Sequence, residues 1–117
     1  MKLEEVAKKL DLALLTPATP AIAEAEITRG YASDLLSDVL AHAPEGGLLV
    51  TLQVHLNVIA VASHAELAAV VFAGGRRPEA DVIAKAAAED IVLYVSADET
   101  FDVVGRLYEL GVKGSHA

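Results

Sequence analysis

The apolar run Val70-Val71-Phe72-Ala73 ends abruptly at Gly74-Gly75, and Arg76-Arg77-Pro78 follows. A short, unbroken, β-branched segment bounded by glycine is the pattern of a strand buried on both faces. The double glycine permits a tight turn, and Pro78 suits the first position of a helix. Such a handover from strand to helix occurs at the carboxyl rim of an α/β sheet, where these folds place ligands. Leu48–Leu52 and Ile91–Val95 are apolar runs of the same kind, and Leu12–Leu15 is a shorter one. The chain is therefore constrained to a few buried strands joined by connections long enough to cross back over a sheet.

Those connections read as helices. Lys2–Leu10 puts Leu3, Val6, Ala7 and Leu10 on one face. Thr16-Pro17-Ala18-Thr19-Pro20 then bars a continued helix or a central strand. Glu24–Thr28 alternates as a strand does, and Gly30 would end it. Ser33 suits an N-cap, with Asp34 in the first turn and Leu35, Leu36, Val39 and Leu40 as the inner stripe; Pro44–Gly47 closes that helix. Leu56–His64 is β-branched enough for a strand. It lies, however, between two apolar strands that need a crossover, so a helix over 55–65 is expected. Glu79–Glu89 presents Val82, Ile83, Ala86 and Ala87 on one side. A last helix over 99–110, capped by Ser96 or Asp98, would turn Phe101, Val104, Leu107 and Tyr108 inward and stop at Gly111. The expected fold is a single small α/β domain over 1–114, a mainly parallel sheet with helices on both faces, followed by a loose tail over 115–117.

A length of 117 residues suits one core, and a hydrophobic fraction of 54% excludes a disordered acidic tail. The net charge of -8 disfavours nucleic acid as a partner, and Arg76-Arg77 is the one basic pair near a rim. Without cysteine there are no disulfides, thiol nucleophiles or thiolate metal ligands. The apolar runs are too short to span a membrane, and Met1–Glu5 lacks the pattern of a signal peptide, so a cytoplasmic location is expected.

Three strand ends are candidate site segments: Thr51 to His55, Ala73 to Arg77, and Ser96 to Asp98. The ligand-binding candidates are Gly74, Gly75, Arg76, Arg77, Thr51, His55 and Ser96. The glycines would let backbone amides approach a phosphate or carboxylate, and the arginines would contact the anion. His55 could serve as base or anion ligand, or merely cap a helix start. Ser33, Asp34, Ser37 and Asp38 form a polar face that either holds a cation or is solvated. No Gly-Lys-Ser/Thr follows the glycines, and no third glycine completes a dinucleotide fingerprint. His42, His55, His64 and His116 lack metal spacing, and no serine, histidine and acid group together. No catalytic residue, metal or cofactor is expected.

Three blocks carry a family resemblance: Thr28–Ala41, Thr51–Ser63 and Phe72–Pro78. In order and spacing they resemble a DRTGG domain across nearly the whole chain. The resemblance implies a small α/β domain, often dimeric, that occurs alone, beside CBS domains in some inorganic pyrophosphatases, and at the front of some phosphotransacetylases. The N-terminal domain of HPr kinase/phosphorylase is similar in fold. In those settings the domain is a regulatory accessory and the catalytic residues lie elsewhere. Two positions depart from the pattern: Arg29 replaces a glycine after Thr28, and Ala73 replaces a threonine before Gly74-Gly75, removing a hydroxyl that could have met a ligand.

The resulting expectation is a non-catalytic regulatory and dimerisation module that senses a small anionic ligand such as a nucleotide. One alternative is a pure interaction module for a partner enzyme, and another is a small phosphoryl- or acyl-transfer enzyme using His55. A homodimer is expected; the apolar run Leu56–Ala62 is either buried beneath helices or the seam of that dimer.

Overall fold

A computed structural model describes residues 1–115; His116 and Ala117, and with them most of the expected tail, lie outside the described residues. The elements alternate along the chain. They are α1 (Leu3–Lys9), β1 (Ala13–Leu14), α2 (Pro20–Glu24), β2 (Gly30–Ala32), α3 (Leu36–His42), β3 (Leu48–Thr51), α4 (Asn57–His64), β4 (Ala69–Phe72), α5 (Ala80–Ala88), β5 (Leu93–Val95) and α6 (Thr100–Glu109). The five strands form one sheet in the order β1-β5-β4-β3-β2. Strands β2 to β5 run parallel, and only β1 pairs antiparallel, against β5. The fold is the expected α/β domain.

The layering follows from strand order. From β2 to β5 each strand is added on the same side of the one before it. Right-handed crossovers must then put α3, α4 and α5 on one face. That face buries Leu49, Val70, Phe72, Leu93 and Val95 of the strands beneath Val39, Val58, Ile59, Ala62, Val82 and Ala86 of those helices. The alternate strand residues, Leu48, Val50, Ala69, Val71 and Tyr94, point the other way. There they meet Leu3 and Val6 of α1, Ile22 of α2, and Val103 and Leu107 of α6. All of the apolar residues in β3 and β4 are therefore buried, which explains their unbroken apolar pattern.

Several local expectations shift. The alternating stretch Glu24–Thr28 is not a strand of the sheet: Glu24 closes α2, and the following residues pair with the N-terminus through Leu3 N–H to Ala25 O (2.9 Å) and Ile27 N–H to Met1 O (2.7 Å). The sheet strand starts at Gly30, where an end was expected. A Cβ at Gly30 would lie 3.3 Å from Val112 Cγ1, so the glycine lets the C-terminal segment press against this strand. Ser33 caps no helix, because α3 begins only at Leu36; its Oγ instead accepts from Leu35 N–H at 3.2 Å. Pro78 is buried and precedes the N-cap Glu79, outside α5 rather than at its first position. Along α6 the inner face is Val103 and Leu107; Phe101 is 88% exposed and Tyr108 51%. Along α3 only Val39 is buried, Leu36 is partly packed, and Leu35 and Leu40 face solvent.

Candidate functional site

Three of the parallel strands end in a hydroxyl or reach one in the next residue, and all of these hydroxyls do the same job. Thr51 Oγ1 accepts from Gln53 N–H (3.1 Å), Ser96 Oγ from Asp98 N–H (3.1 Å), and Ser33 Oγ from Leu35 N–H (3.2 Å). A strand that stops leaves amides without ladder partners, and a short hydroxyl two residues upstream satisfies one of them. His55 repeats the device with its ring: Nδ1 accepts from Asn57 N–H at 3.0 Å, at the start of α4. An accepting Nδ1 leaves Nε2 to carry the ring proton.

Asp34 ties the rim together. Its Oδ1 accepts from Thr51 Oγ1 at 3.0 Å and from Leu52 N–H at 2.7 Å. Sequence spacing suggested a helix first turn for Asp34; instead it bridges from the end of β2 to the end of β3. Thr51 and Ser96 are both buried, Thr51 within this network and Ser96 in the turn it makes with Asp98.

The double glycine takes the conformation its sequence promised, with φ of +67° at both Gly74 and Gly75. Its amides, however, are engaged. Gly74 N–H donates to Asp98 O and Gly75 N–H to Ser96 O, each at 2.7 Å. The turn after β4 is thus stitched to the segment after β5, and no anion cradle opens from these two amides. Glu99 also overhangs the turn, with its Oε2 3.5 Å from where a Cβ of Gly74 would sit. Arg76 reaches sideways, its Nε donating to Leu52 O at 2.8 Å. Arg77 is exposed beside it.

The structure therefore gathers Thr51, Gly74, Gly75, Arg76 and Ser96 at one rim, with three strand ends within hydrogen-bonding reach of one another. His55 stands at the α4 start on the same side of the sheet. Among the described residues no histidine is hydrogen-bonded to a hydroxyl, and no three His, Cys, Asp or Glu groups cluster as metal ligands would. No described helix is long and apolar enough to cross a membrane. The apolar run of α4 packs inward through Val58, Ile59 and Ala62, leaving Leu56 as its one large exposed apolar neighbour.

A second concavity lies elsewhere, along the free edge of β2, and sequence reading missed it. It encloses about 690 Å³ between α3 and α6, with Ala32, Ala41, Val50, Val104, Leu107 and Val112 among its apolar lining. Asp38 sits at its mouth. Its carboxylate accepts from Tyr31 OH (2.8 Å) and contacts His42 Nδ1 (3.0 Å). The Tyr31 bond first, then Ser33 and His42, hold the Asp38 carboxyl below the usual carboxylate range. The same bond pushes the Tyr31 phenol up. Lys113 is turned onto Tyr108, its Nζ 3.7 Å from the ring centre. These residues are far apart in sequence, and Asp38 was visible beforehand only as part of a polar helix face.

The described residues thus form a small α/β domain whose mostly parallel sheet ends in a rim stitched by glycine amides and short hydroxyls. No family model matches the chain, and no curated protein matches it. Among solved structures it is similar to the CBS and DRTGG domains of the regulatory region of Clostridium perfringens pyrophosphatase, a structure complexed with the activator diadenosine tetraphosphate. The match has a TM-score of 0.69 at 11% identity, covering 91% of this chain. It covers 45% of that chain, so this protein spans a little under half its length. At such identity the likeness is one of fold.

Proposed function

We propose that this protein is a regulatory, non-catalytic module that senses a small anionic ligand, of nucleotide type, at the carboxyl rim of its sheet. The observation that carries the reading is the shared fold with a regulatory region whose solved structure holds a nucleotide activator. The rim supports it. Arg76 is anchored through Nε, which leaves its terminal amino groups for an anion, and Arg77 adds a second guanidinium. Because the amides of Gly74 and Gly75 are engaged, the anion would rest on these side chains. Thr51, His55 and Ser96 would shape the loops around it. A cytoplasmic location belongs to the same reading, and a chain without cysteine is compatible with it.

Thermal unfolding in the presence of nucleotides and phosphometabolites tests it. A ligand at ten times its Kd stabilises the native state by about 1.4 kcal/mol, a shift of several degrees. Arg76→Glu with Arg77→Glu should abolish the shift. A flat response across the set overturns the reading.

A second reading, an interaction module for a partner enzyme or a second copy, is favoured by exposed apolar side chains. Leu35, Leu56 and Phe101 are 65%, 42% and 88% exposed. Each stands at the start of a helix that follows a parallel strand, so all three lie on the rim side. Aromatic and arginine side chains together are the chemistry of interface centres. Sedimentation decides: a dimer that Phe101→Asp dissociates without unfolding supports this reading, and a monomer at all concentrations removes the homodimer from it.

A further inference from the structure

The slot beside β2 is built by an unfinished sheet edge. Tyr31 and Ser33 face β3, as the bond from Ser33 N–H to Val50 O and the Tyr31–Leu49 register show. Gly30 and Ala32 must then present their backbone groups outward. Gly30 confirms this, since its N–H donates away from the sheet to Lys113 O at 2.8 Å. Lys113 N–H returns to Thr28 O at 3.2 Å, and among the described residues no further backbone bond to this edge follows. What remains is Gly30 C=O with the N–H and C=O of Ala32; of these, the Gly30 acceptor and the Ala32 donor are neighbours along the same edge, inside the slot.

That pair is complementary to a planar heterocycle that carries an amino donor next to a ring-nitrogen acceptor. A ring hydrogen-bonded to a strand edge lies in the plane of the sheet, so its two faces meet the layers above and below. Here those layers supply Ala41 from α3 on one side and Val104 and Leu107 from α6 on the other. The enclosed volume, about 690 Å³, is that of a small-molecule site, with an apolar body and few polar groups. Asp38 at the mouth is an acceptor-only carboxylate and would take hydroxyl donors while repelling phosphate. Ser115 Oγ, also lining the slot, is buried without a partner among the described residues.

We propose that this slot binds an uncharged aminopurine nucleoside, its base read by Gly30 C=O and Ala32 N–H and its sugar hydroxyls by Asp38. The ligand and the place both differ from those of the rim, so the two readings can fail separately. Adenosine is the probe, titrated into the full chain and followed by amide NMR. The expected result is a saturable change at Gly30 to Ala32, Ala41 and Leu107 to Lys113. N6,N6-dimethyladenosine, which lacks the amino donor, should bind about tenfold more weakly, the effect of losing one good hydrogen bond. Ala32→Pro removes the edge donor and should weaken adenosine similarly. If that variant does not fold, Ala41→Phe, which fills the slot from an exposed helix position, should abolish binding. No change with adenosine, equal binding of the dimethyl analogue, or changes confined to Gly74 to Arg77 each overturns the proposal; only the last would support the rim reading. A dimer that Ala41→Phe dissociates would also overturn it, giving the slot to a second copy.

Discussion

The carboxyl rim and the β2 edge are opposites. The rim is rich in groups that look functional in sequence, yet most of them already have protein partners. Thr51, Ser96 and Ser33 satisfy amides beyond their own strands, and the amides of Gly74 and Gly75 hold the loop after β5. The edge is poor in such groups, being glycine, tyrosine and alanine, yet it offers a backbone acceptor and donor that nothing in the described chain uses. The contrast has a physical origin. A strand that ends must satisfy its own amides, and short polar side chains nearby are recruited to do it. A strand at the margin of a sheet keeps a row of outward groups by construction, whatever its side chains are. Availability, more than polarity, separates a binding group from a structural one.

Thr51→Val puts the first half of that contrast at greatest risk. The hydroxyl is fully buried, donates to Asp34 and accepts from Gln53 N–H. Its replacement by an isosteric methyl strands an amide and half of a carboxylate's partners, so a loss of about 1–3 kcal/mol is expected in urea unfolding. A variant as stable as the parent would mean that the rim hydroxyls are free after all, and that Thr51 belongs to a ligand site.

The next effect in size compares two glycines. Gly74 has φ of +67°, and the hydrogen bond its N–H donates to Asp98 O depends on that conformation. An added Cβ meets only ordinary contacts, to Glu99 Oε2 at 3.5 Å and Leu52 Cδ2 at 3.6 Å. The cost of Gly74→Ala is therefore backbone strain, about 1–2 kcal/mol. Gly105, inside α6 with open space around it, should respond with the opposite sign, Gly105→Ala stabilising by about 0.5–1 kcal/mol. Thermal unfolding of both variants settles whether the double glycine is a conformational requirement.

Ala32→Pro addresses the other half of the contrast. If the Ala32 amide really points outward and unpaired, proline removes nothing from the ladder, and an edge strand tolerates it. The expected loss is below about 1 kcal/mol, less than for Thr51→Val. A larger loss would show that the ring also disturbs Tyr31 before it, and the binding test would then rest on Ala41→Phe.

Much of this arrangement was readable in the chain. The runs around Leu49, Val71 and Leu93 are apolar at every position because both sheet faces are covered; a sheet with one face in water would alternate instead. The crossover through Val58 and Ile59 was recoverable from topology where propensity pointed to a strand. The failures share one cause, the override of local signals by distant neighbours. Glu24–Thr28 alternates because it is extended, but it pairs with residues near Met1 rather than joining the sheet. Ser33 and Asp34 resemble a helix start, yet Asp34 is held by Thr51 and Leu52 across the rim. Phe101 has inward-facing spacing, but α6 rotates to bury Val103 instead. The slot was invisible because Ala32, Ala41, Leu107 and Val112 meet only after the sheet and both of its helix layers exist.

The smallest effect lies at the mouth of the slot. The Asp38 carboxyl is held low chiefly by the hydrogen bond from Tyr31, with Ser33 and His42 adding to it. A carboxyl depressed in the folded state contributes stability above its unfolded value, and that contribution is lost as pH falls through the folded one. The dependence therefore falls on the acid limb, below about pH 4. The phenol of Tyr31 is raised by the same partner, so its contribution is present below its unfolded value and disappears only in strong base. Tyr31→Phe should move the Asp38 carboxyl back up towards the usual range, and Asp38→Asn should bring the Tyr31 phenol down, both followed by NMR titration. Because the two groups lie at a solvent-facing mouth, global stability near neutral pH should hardly change in either variant. If both titrations stay put, the Tyr31–Asp38 bond is absent in solution. The slot would then keep a strand edge to read a base but lose the fixed carboxylate assigned to its sugar.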